Sequence, residues 1–141
     1  MSKSFDDLLK QVADCPKKTV AVACAHDDAV LEAVKAAKER GIADAILVGD
    51  ESKIRTIAQV LKMHLNDYKI IDVADPIEAA RTAVKLVHDG EADMYMKGLI
   101  DTKSFLKSVL DKEVGLRTDK TLSHVCVFEI KGIDHLLFLS D

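Results

Sequence analysis

Residues 19–50, TVAVACAHDDAVLEAVKAAKERGIADAILVGD, decide the fold class of this chain. Thr19 to Cys24 is an unbroken run of small and β-branched apolar residues, the mark of a strand covered on both faces. His26-Asp27-Asp28 then supplies a polar helix start, and Ala29, Val30, Ala33, Val34 and Ala37 recur at helical spacing as one apolar stripe. Gly41 stands where a helix C-cap falls, and Ala45-Ile46-Leu47-Val48 is a second short apolar run. Two doubly covered strands joined through an amphipathic helix make the βαβ unit of a parallel sheet.

The same rhythm continues outward from this stretch. Upstream, Phe5, Leu8, Leu9 and Val12 space an opening helix that stops before Cys15-Pro16. Downstream, Gly49-Asp50 leads into a helix whose buried face holds Ile54, Ile57, Ala58 and Leu61, and residues 69–73 (KIIDV) form a third strand. Asp75 reads as an N-cap with Pro76 at the first helical position, and Gly90 closes that helix. Residues 92–96 (ADMYM) make a fourth strand, followed by a helix marked by Phe105, Leu106, Val109 and Leu110, with Thr102 as its cap. The pattern then changes. Residues 124–130 (HVCVFEI) and 135–139 (HLLFL) are strands only four residues apart, a hairpin spacing. The expected fold is α/β: a doubly wound, mostly parallel sheet in three α/β/α layers, with an antiparallel pair near the C-terminus. No internal repeat, low-complexity tract or interdomain linker interrupts it. Ser140-Asp141 follows the last apolar strand at once, so a sheet face or edge is expected to need cover from a second subunit or a longer chain.

Composition narrows the class without touching the chemistry. At 141 residues, 48% hydrophobic and 31% charged, the chain has the length and apolar content of one folded domain. No apolar run approaches the roughly 20 residues of a membrane helix, and the opening MSKSFDDLLK carries no secretory signal pattern. A net charge of −4 gives no general attraction to nucleic acid or anionic lipid, so neither is an expected partner and a cytoplasmic location is expected. Cys15, Cys24 and Cys126 are odd in number and lack CxxC spacing, which fits a reducing compartment. Cys24 and Cys126 lie in apolar runs and read as small buried thiols. The five histidines show neither HxH nor HExxH spacing, so no metal site is expected.

In open α/β sheets ligands collect beyond the carboxyl ends of the strands. The loops after the first three strands are acidic, and their aspartates are accounted for as helix caps. The loop after the fourth, KGLIDTKSFLK (residues 97–107), differs. Lys97 at the strand end, Gly98 allowing close backbone approach and the Thr102 hydroxyl at a helix start are the parts of an anion site. A solvated turn lysine beside a flexible glycine is the competing reading, and pattern alone does not choose. Lys107 lies nearly a turn and a half into the helix and need not share the Thr102 face. A second candidate is Gly115-Leu116-Arg117-Thr118 with Ser123, where Arg117 offers a bidentate fork and Ser123 a hydroxyl; a plain charged surface loop explains the same residues. Ser123 and His124, adjacent on a strand, point to opposite faces and form no dyad. Neither GxxxxGK[ST] nor a strand-linked GxGxxG occurs.

Taken together these segments resemble a known family. Residues 96–130 (MKGLIDTKSFLKSVLDKEVGLRTDKTLSHVCVFEI), the closing LLFLSD (136–141), and the earlier stretches 20–54 and 75–98 are similar, in order, to the first half of the butyryl-transferring branch of the phosphate acetyl/butyryltransferase family. KGLIDT and GLRT…LSHV are the specific motifs. The resemblance implies reversible transfer of an acyl group between coenzyme A and inorganic phosphate, butyryl-CoA and phosphate giving butyryl phosphate and CoA. It implies no tightly bound cofactor, CoA and acyl-CoA serving as substrates, and a homodimer or larger homo-oligomer for the complete enzyme. It also implies an isocitrate-dehydrogenase-like fold of two α/β domains around a cleft, of which residues 1–141 are the N-terminal domain. The family's serine, arginine and aspartate motif lies in the other half, so this chain alone is expected to be inactive. On the matching positions, Lys97 is the expected catalytic residue, with Gly98, Thr102, Lys107, Arg117 and Ser123 binding phosphate or substrate and Asp141 at the domain junction. Lys107 falls near an arginine of the acetyl-transferring relatives. A noncatalytic phosphate- or CoA-binding module, a truncated product and a phosphate acetyltransferase are the alternatives. An isocitrate-dehydrogenase-like enzyme ranks below them, because the metal-binding acids are missing.

Overall fold

The computed structural model describes residues 3–140 and divides into two compact units, residues 17–117 and residues 3–16 with 118–140. Asp141, the expected junction residue, lies outside the described residues.

The larger unit carries β1 (Lys18–Ala23), α2 (Asp28–Glu39), β2 (Ala43–Gly49), α3 (Glu51–Val60), a 3-10 turn (Leu65–Asp67), β3 (Lys69–Asp72), α4 (Pro76–His88), β4 (Met94–Lys97) and α5 (Thr102–Val109). Its four strands are all parallel, in the order β3-β2-β1-β4. Alternation of side chains along the strands sorts the core into two layers. Ala21, Ala23, Ile46 and Val48 face α4 and α5 through Ala79, Ala80, Ala83, Leu86 and Phe105. Val22, Ala45 and Leu47 face α2 and α3 through Leu31, Val34 and Ile54. The chain therefore winds outward from β1 to β3 with helices on one face, then crosses back past β1 to β4 with helices on the other. This is the expected doubly wound, three-layer arrangement. Leu31, Leu47 and Ile54 are wholly buried, each contributing about 1.5–3 kcal/mol of burial free energy.

Helix starts follow the acidic caps. Asp27, Asp50 and Asp75 each accept from the backbone N–H three residues on, and Pro76 sits in the first turn of α4 as expected. Gly41 and Gly90 follow their helices with φ of +68° and +81°. Two sequence expectations shift. The cap of α5 is Asp101, whose carboxylate accepts from the Ser104 N–H at 2.8 Å, and Thr102 is the first helical residue. A carboxylate accepts that N–H more strongly than a hydroxyl does, so the aspartate wins the position. On α2 the buried stripe runs through Leu31 and Val34, with Ala29 and Ala33 exposed, because the bulkier side chains set which face turns inward.

The smaller unit holds α1 (Phe5–Ala13), capped by Ser4, and an antiparallel pair, β5 (Val125–Phe128) and β6 (Leu137–Ser140). The Phe5 N–H donates to the Glu129 carboxylate at 2.8 Å. The antiparallel pair is as expected, but the connection covers residues 129–136, with a turn closed by the Ile133 N–H on the Ile130 carbonyl. A two-stranded ribbon has too few neighbours to cover both faces. Val125, Phe128, Phe138 and Leu139 are exposed, and Cys126, expected to be buried, is only half-buried.

Candidate functional site

The winding reverses between β1 and β4, and the crevice outside the carboxyl ends of those two strands is where open α/β sheets hold ligands. Lys97 is the last residue of β4, paired in register with Ala23 of β1, and its side chain is exposed at this switch point. The strand-end loop singled out in the sequence is therefore the loop that topology favours.

Its glycine has a structural reason. The Gly98 N–H donates to the Ala23 carbonyl at 2.9 Å, and the Leu99 N–H donates to the Cys24 carbonyl at 2.8 Å. A Cβ on Gly98 would lie 2.3 Å from the Cys24 oxygen and 2.4 Å from the Ala23 oxygen. The close approach is thus to β1, and the amides of Gly98, Leu99 and Ile100 are all engaged within the chain. Donors remain one step further on. Ser104 N–H is taken by the Asp101 side chain and Phe105 N–H by the Asp101 carbonyl, which leaves the N–H groups of Thr102 and Lys103 without a partner among the described residues. Hydrogen bonds from Ser104, with the Lys97 ammonium as the smallest contribution, hold the Asp101 carboxyl below its usual range. It is ionised at neutral pH and partly offsets the lysine.

On the neighbouring strand, β1 ends at Ala23, and Cys24 directly after it takes the left-handed conformation at φ +58°. Its thiol is buried, 3.6 Å from the Pro76 carbonyl, and burial first, then the Asp75 charge, pushes its pKa up. It is the inert core thiol expected from its apolar run. Behind β4, Tyr95 stacks on Phe105 with centroids 4.4 Å apart, donates to the Ala80 carbonyl at 3.2 Å and pairs with the Ser108 hydroxyl at 2.8 Å. Burial pushes its phenol up to about 12. These contacts pin α4 and α5 to the strand that ends at Lys97.

Arg117 is exposed at the end of the larger unit. The turn before it is braced: Arg81 of α4 bonds Asp111 at 3.0 Å and Glu113 at 2.9 Å, and His88 of α4 contacts the Gly115 carbonyl at 2.9 Å. Ser123 is exposed and belongs to the smaller unit. His124, immediately before β5, has a ring nitrogen 3.4 Å from the Cys126 thiol. Lys107 is placed elsewhere. It lines a cleft of about 290 Å3 between α4 and α5 with Ile77, Arg81, Lys103 and Asp111, and neither Lys97, Thr102 nor Arg117 is among its walls. Sequence reading passed over Lys103 and the Asp101 cap. Asp101, an N-cap residue type directly before the helical run, carried a usable signal; Lys103 carried none, because only the facing helix defines the cleft.

Comparison with known proteins adds the family. The family model described as Phosphate acetyl/butaryl transferase matches residues 4–80 and 73–141. A phosphate butyryltransferase of Clostridium beijerinckii is 57% identical over 141 residues, covering the whole chain and 47% of the relative. One from Clostridium acetobutylicum is 55% identical with the same coverage. A solved branched-chain phosphotransacylase from Enterococcus faecalis superposes with a TM-score of 0.65 at 27% identity, covering 88% of this chain and 42% of that one. The chain spans about half the length of the relatives it matches.

Proposed function

This chain belongs to the Phosphate acetyl/butaryl transferase family, and from that we propose that it is the N-terminal α/β domain of a two-domain acyltransferase converting butyryl-CoA and phosphate to butyryl phosphate and CoA, reversibly. The observation that carries the reading is the unbroken match to butyryl-transferring relatives, at 57% identity across a chain whose Lys97 stands at the switch point of the sheet.

A phosphate oxygen attacks the thioester carbonyl, the carbonyl oxygen becomes an oxyanion, and collapse breaks the C–S bond and releases the CoA thiolate, which takes a proton. Two negative groups meet at one carbon, so the barrier is largely electrostatic. Lys97 supplies a cation at the strand end, and Thr102 offers its hydroxyl and its unpaired N–H at the positive end of α5. Gly98 sets how closely this loop follows β1. Arg117, at the end of the same unit, offers a guanidinium to the phosphate, whereas a role for the Ser123 hydroxyl of the smaller unit rests on the family resemblance alone. Serine, arginine and aspartate groups of a second domain, joined beyond Asp141, complete the site. The complete enzyme is a cytoplasmic homo-oligomer with CoA as substrate and no tightly bound cofactor.

The test is thiol release from butyryl-CoA, beside acetyl-CoA, by the chain alone and by the chain joined to the remaining half of the Clostridium beijerinckii relative. Phosphate-dependent release by the joined protein, fastest with butyryl-CoA, is expected, with none from the chain alone. Lys97→Ala in the joined protein should lower kcat/KM about 100-fold or more. Absence of release from a folded joined protein, or release indifferent to phosphate, overturns the reading.

A further inference from the structure

The helix that follows the Lys97 loop is held in place by little burial of its own. α5 buries none of its residues, whereas α4 beside it buries five and is fixed in the core. Packed anchors stand at its flanks, Ile100 before it and Val114 after it. Between them the helix is tied through Tyr95 of β4. The Tyr95 ring stacks on Phe105, and its hydroxyl lies 3.2 Å from the Ala80 carbonyl of α4 and 2.8 Å from the Ser108 hydroxyl of α5. Ser108 also reaches the Phe105 carbonyl of its own helix. Two hydroxyl oxygens 2.8 Å apart repel unless a proton lies between them, so the Tyr95–Ser108 bond is kept whichever carbonyl takes the second proton. One phenol therefore references α5 both to the rigid helix α4 and to the strand that ends at Lys97.

The same side chain stands directly behind the reacting end. Tyr95 and Lys97 are two apart on β4, so both leave the sheet on the α4–α5 face, about 6.6 Å apart along the strand. Phe105 is one turn past Thr102, about 4.5 Å along the helix axis. The stacked rings thus sit one step back from Lys97 on the strand and one turn back from Thr102 on the helix. Hydrogen bonds from Ser104 first, and the Lys97 charge last, hold the Asp101 carboxyl low, so the strand end and the helix cap lie within electrostatic reach of each other. We propose that Tyr95 is a positioning residue for acyl transfer: its hydroxyl, through Ala80 and Ser108, fixes where the start of α5 stands relative to Lys97, and so how the lysine and Thr102 converge on the phosphate. The assignment rests on the acyl-transfer reading. Position matters here because donors lower an electrostatic barrier only where they meet the developing charge at hydrogen-bond distance, and a displacement of about 1 Å forfeits much of the effect.

The test measures thiol release by the joined protein with butyryl-CoA and phosphate. Tyr95→Phe keeps the ring on Phe105 and removes only the hydroxyl, while Ser108→Ala removes the other end of the same bond with a good helix former. Each should lower kcat about tenfold, and the double variant should fall no further than the lower of the two, because both delete one interaction. Placed in the Lys97→Ala background, Tyr95→Phe should lose most of its effect. A hydroxyl that only stabilised the fold would instead lower the rate by the same factor with or without the lysine. Urea midpoints of each variant confirm that the protein assayed is folded, and if Tyr95→Phe does not fold, Ser108→Ala with and without Lys97→Ala carries the same comparison. A kcat within about twofold of the parent, a double variant that multiplies the two losses, or a full tenfold loss persisting without Lys97 would each overturn the assignment. Failure of the transfer reading is distinguishable: the parent joined protein would then release no thiol, whereas failure of this assignment leaves the parent active.

Discussion

Replacing Gly98 by alanine should cost far more than a methyl group usually does. The new Cβ would meet two backbone carbonyl oxygens of β1, at 2.3 and 2.4 Å, and neither can rotate away as a side chain tip would. Restoring ordinary contact requires the end of β4 to retreat by about 1 Å. That shift stretches the Gly98 N–H···O bond to Ala23 from 2.9 Å, and the Leu99 bond to Cys24 from 2.8 Å, beyond useful length. Two partly buried backbone bonds lost together imply a destabilisation of about 2–4 kcal/mol, or roughly 8–16 °C in Tm for a unit of this size. Gly90→Ala is the matched control. Gly90 has φ +81° and open space where a Cβ would point, with nothing within 4 Å, so only left-handed backbone strain of about 1 kcal/mol applies there. Urea unfolding of both variants beside the parent chain measures the difference. A Gly98→Ala loss no larger than that of Gly90→Ala would refute the close-approach explanation.

Leu47→Ala, which empties a wholly buried position on the central strand β2, should cost about 2.5–5 kcal/mol in the same assay, and a loss below about 1 kcal/mol would place it outside a packed core. Acid should destabilise the chain in a defined direction. Asp50, Asp101 and Asp111 are held below their usual carboxyl range by hydrogen bonds, and Asp44 by its bond to Lys38, so the unfolded chain binds protons first as pH falls. Their stabilisation is fully present above about pH 4 and disappears as pH drops through the lower folded values, which urea midpoints at pH 7, 5 and 3 will register; a midpoint flat from pH 5 to 3 contradicts it. Tyr95, one of two tyrosines, should ionise only near pH 12 while the chain stays folded, and its phenol favours the folded state less as pH climbs from 10 to 12. Absorbance at alkaline pH reads this directly, and both phenols titrating together near 10 would show that Tyr95 is not buried.

The layer architecture was legible in the chain because it rests on local patterns. The doubly apolar run at β1, the helical spacing of Ile54, Ile57 and Ala58, and the Asp75-Pro76 helix start all act within one or two turns, so a linear reading captures them. Element ends moved by a residue or two, as frayed termini do. The strand-end lysine was legible for the same reason: Lys97 directly follows an apolar run and precedes a helix start. Side-chain competition at the α5 cap was not, since Asp101 and Thr102 are both good caps and only the folded turn selects between them.

What no linear pattern contains is adjacency across the sheet. The order β3-β2-β1-β4 brings β4 beside β1 from more than seventy residues away, and this alone makes the loop after Lys97 a switch-point loop and Gly98 a contact glycine. Likewise Lys103 and Lys107 become a cationic cleft wall only because α4 packs alongside α5 and Arg81 draws Asp111 and Glu113 away from them. Periodicity and capping depend on neighbours along the chain and are written in it; clefts and close approaches depend on which surfaces burial brings together, and that is settled only when the whole unit packs.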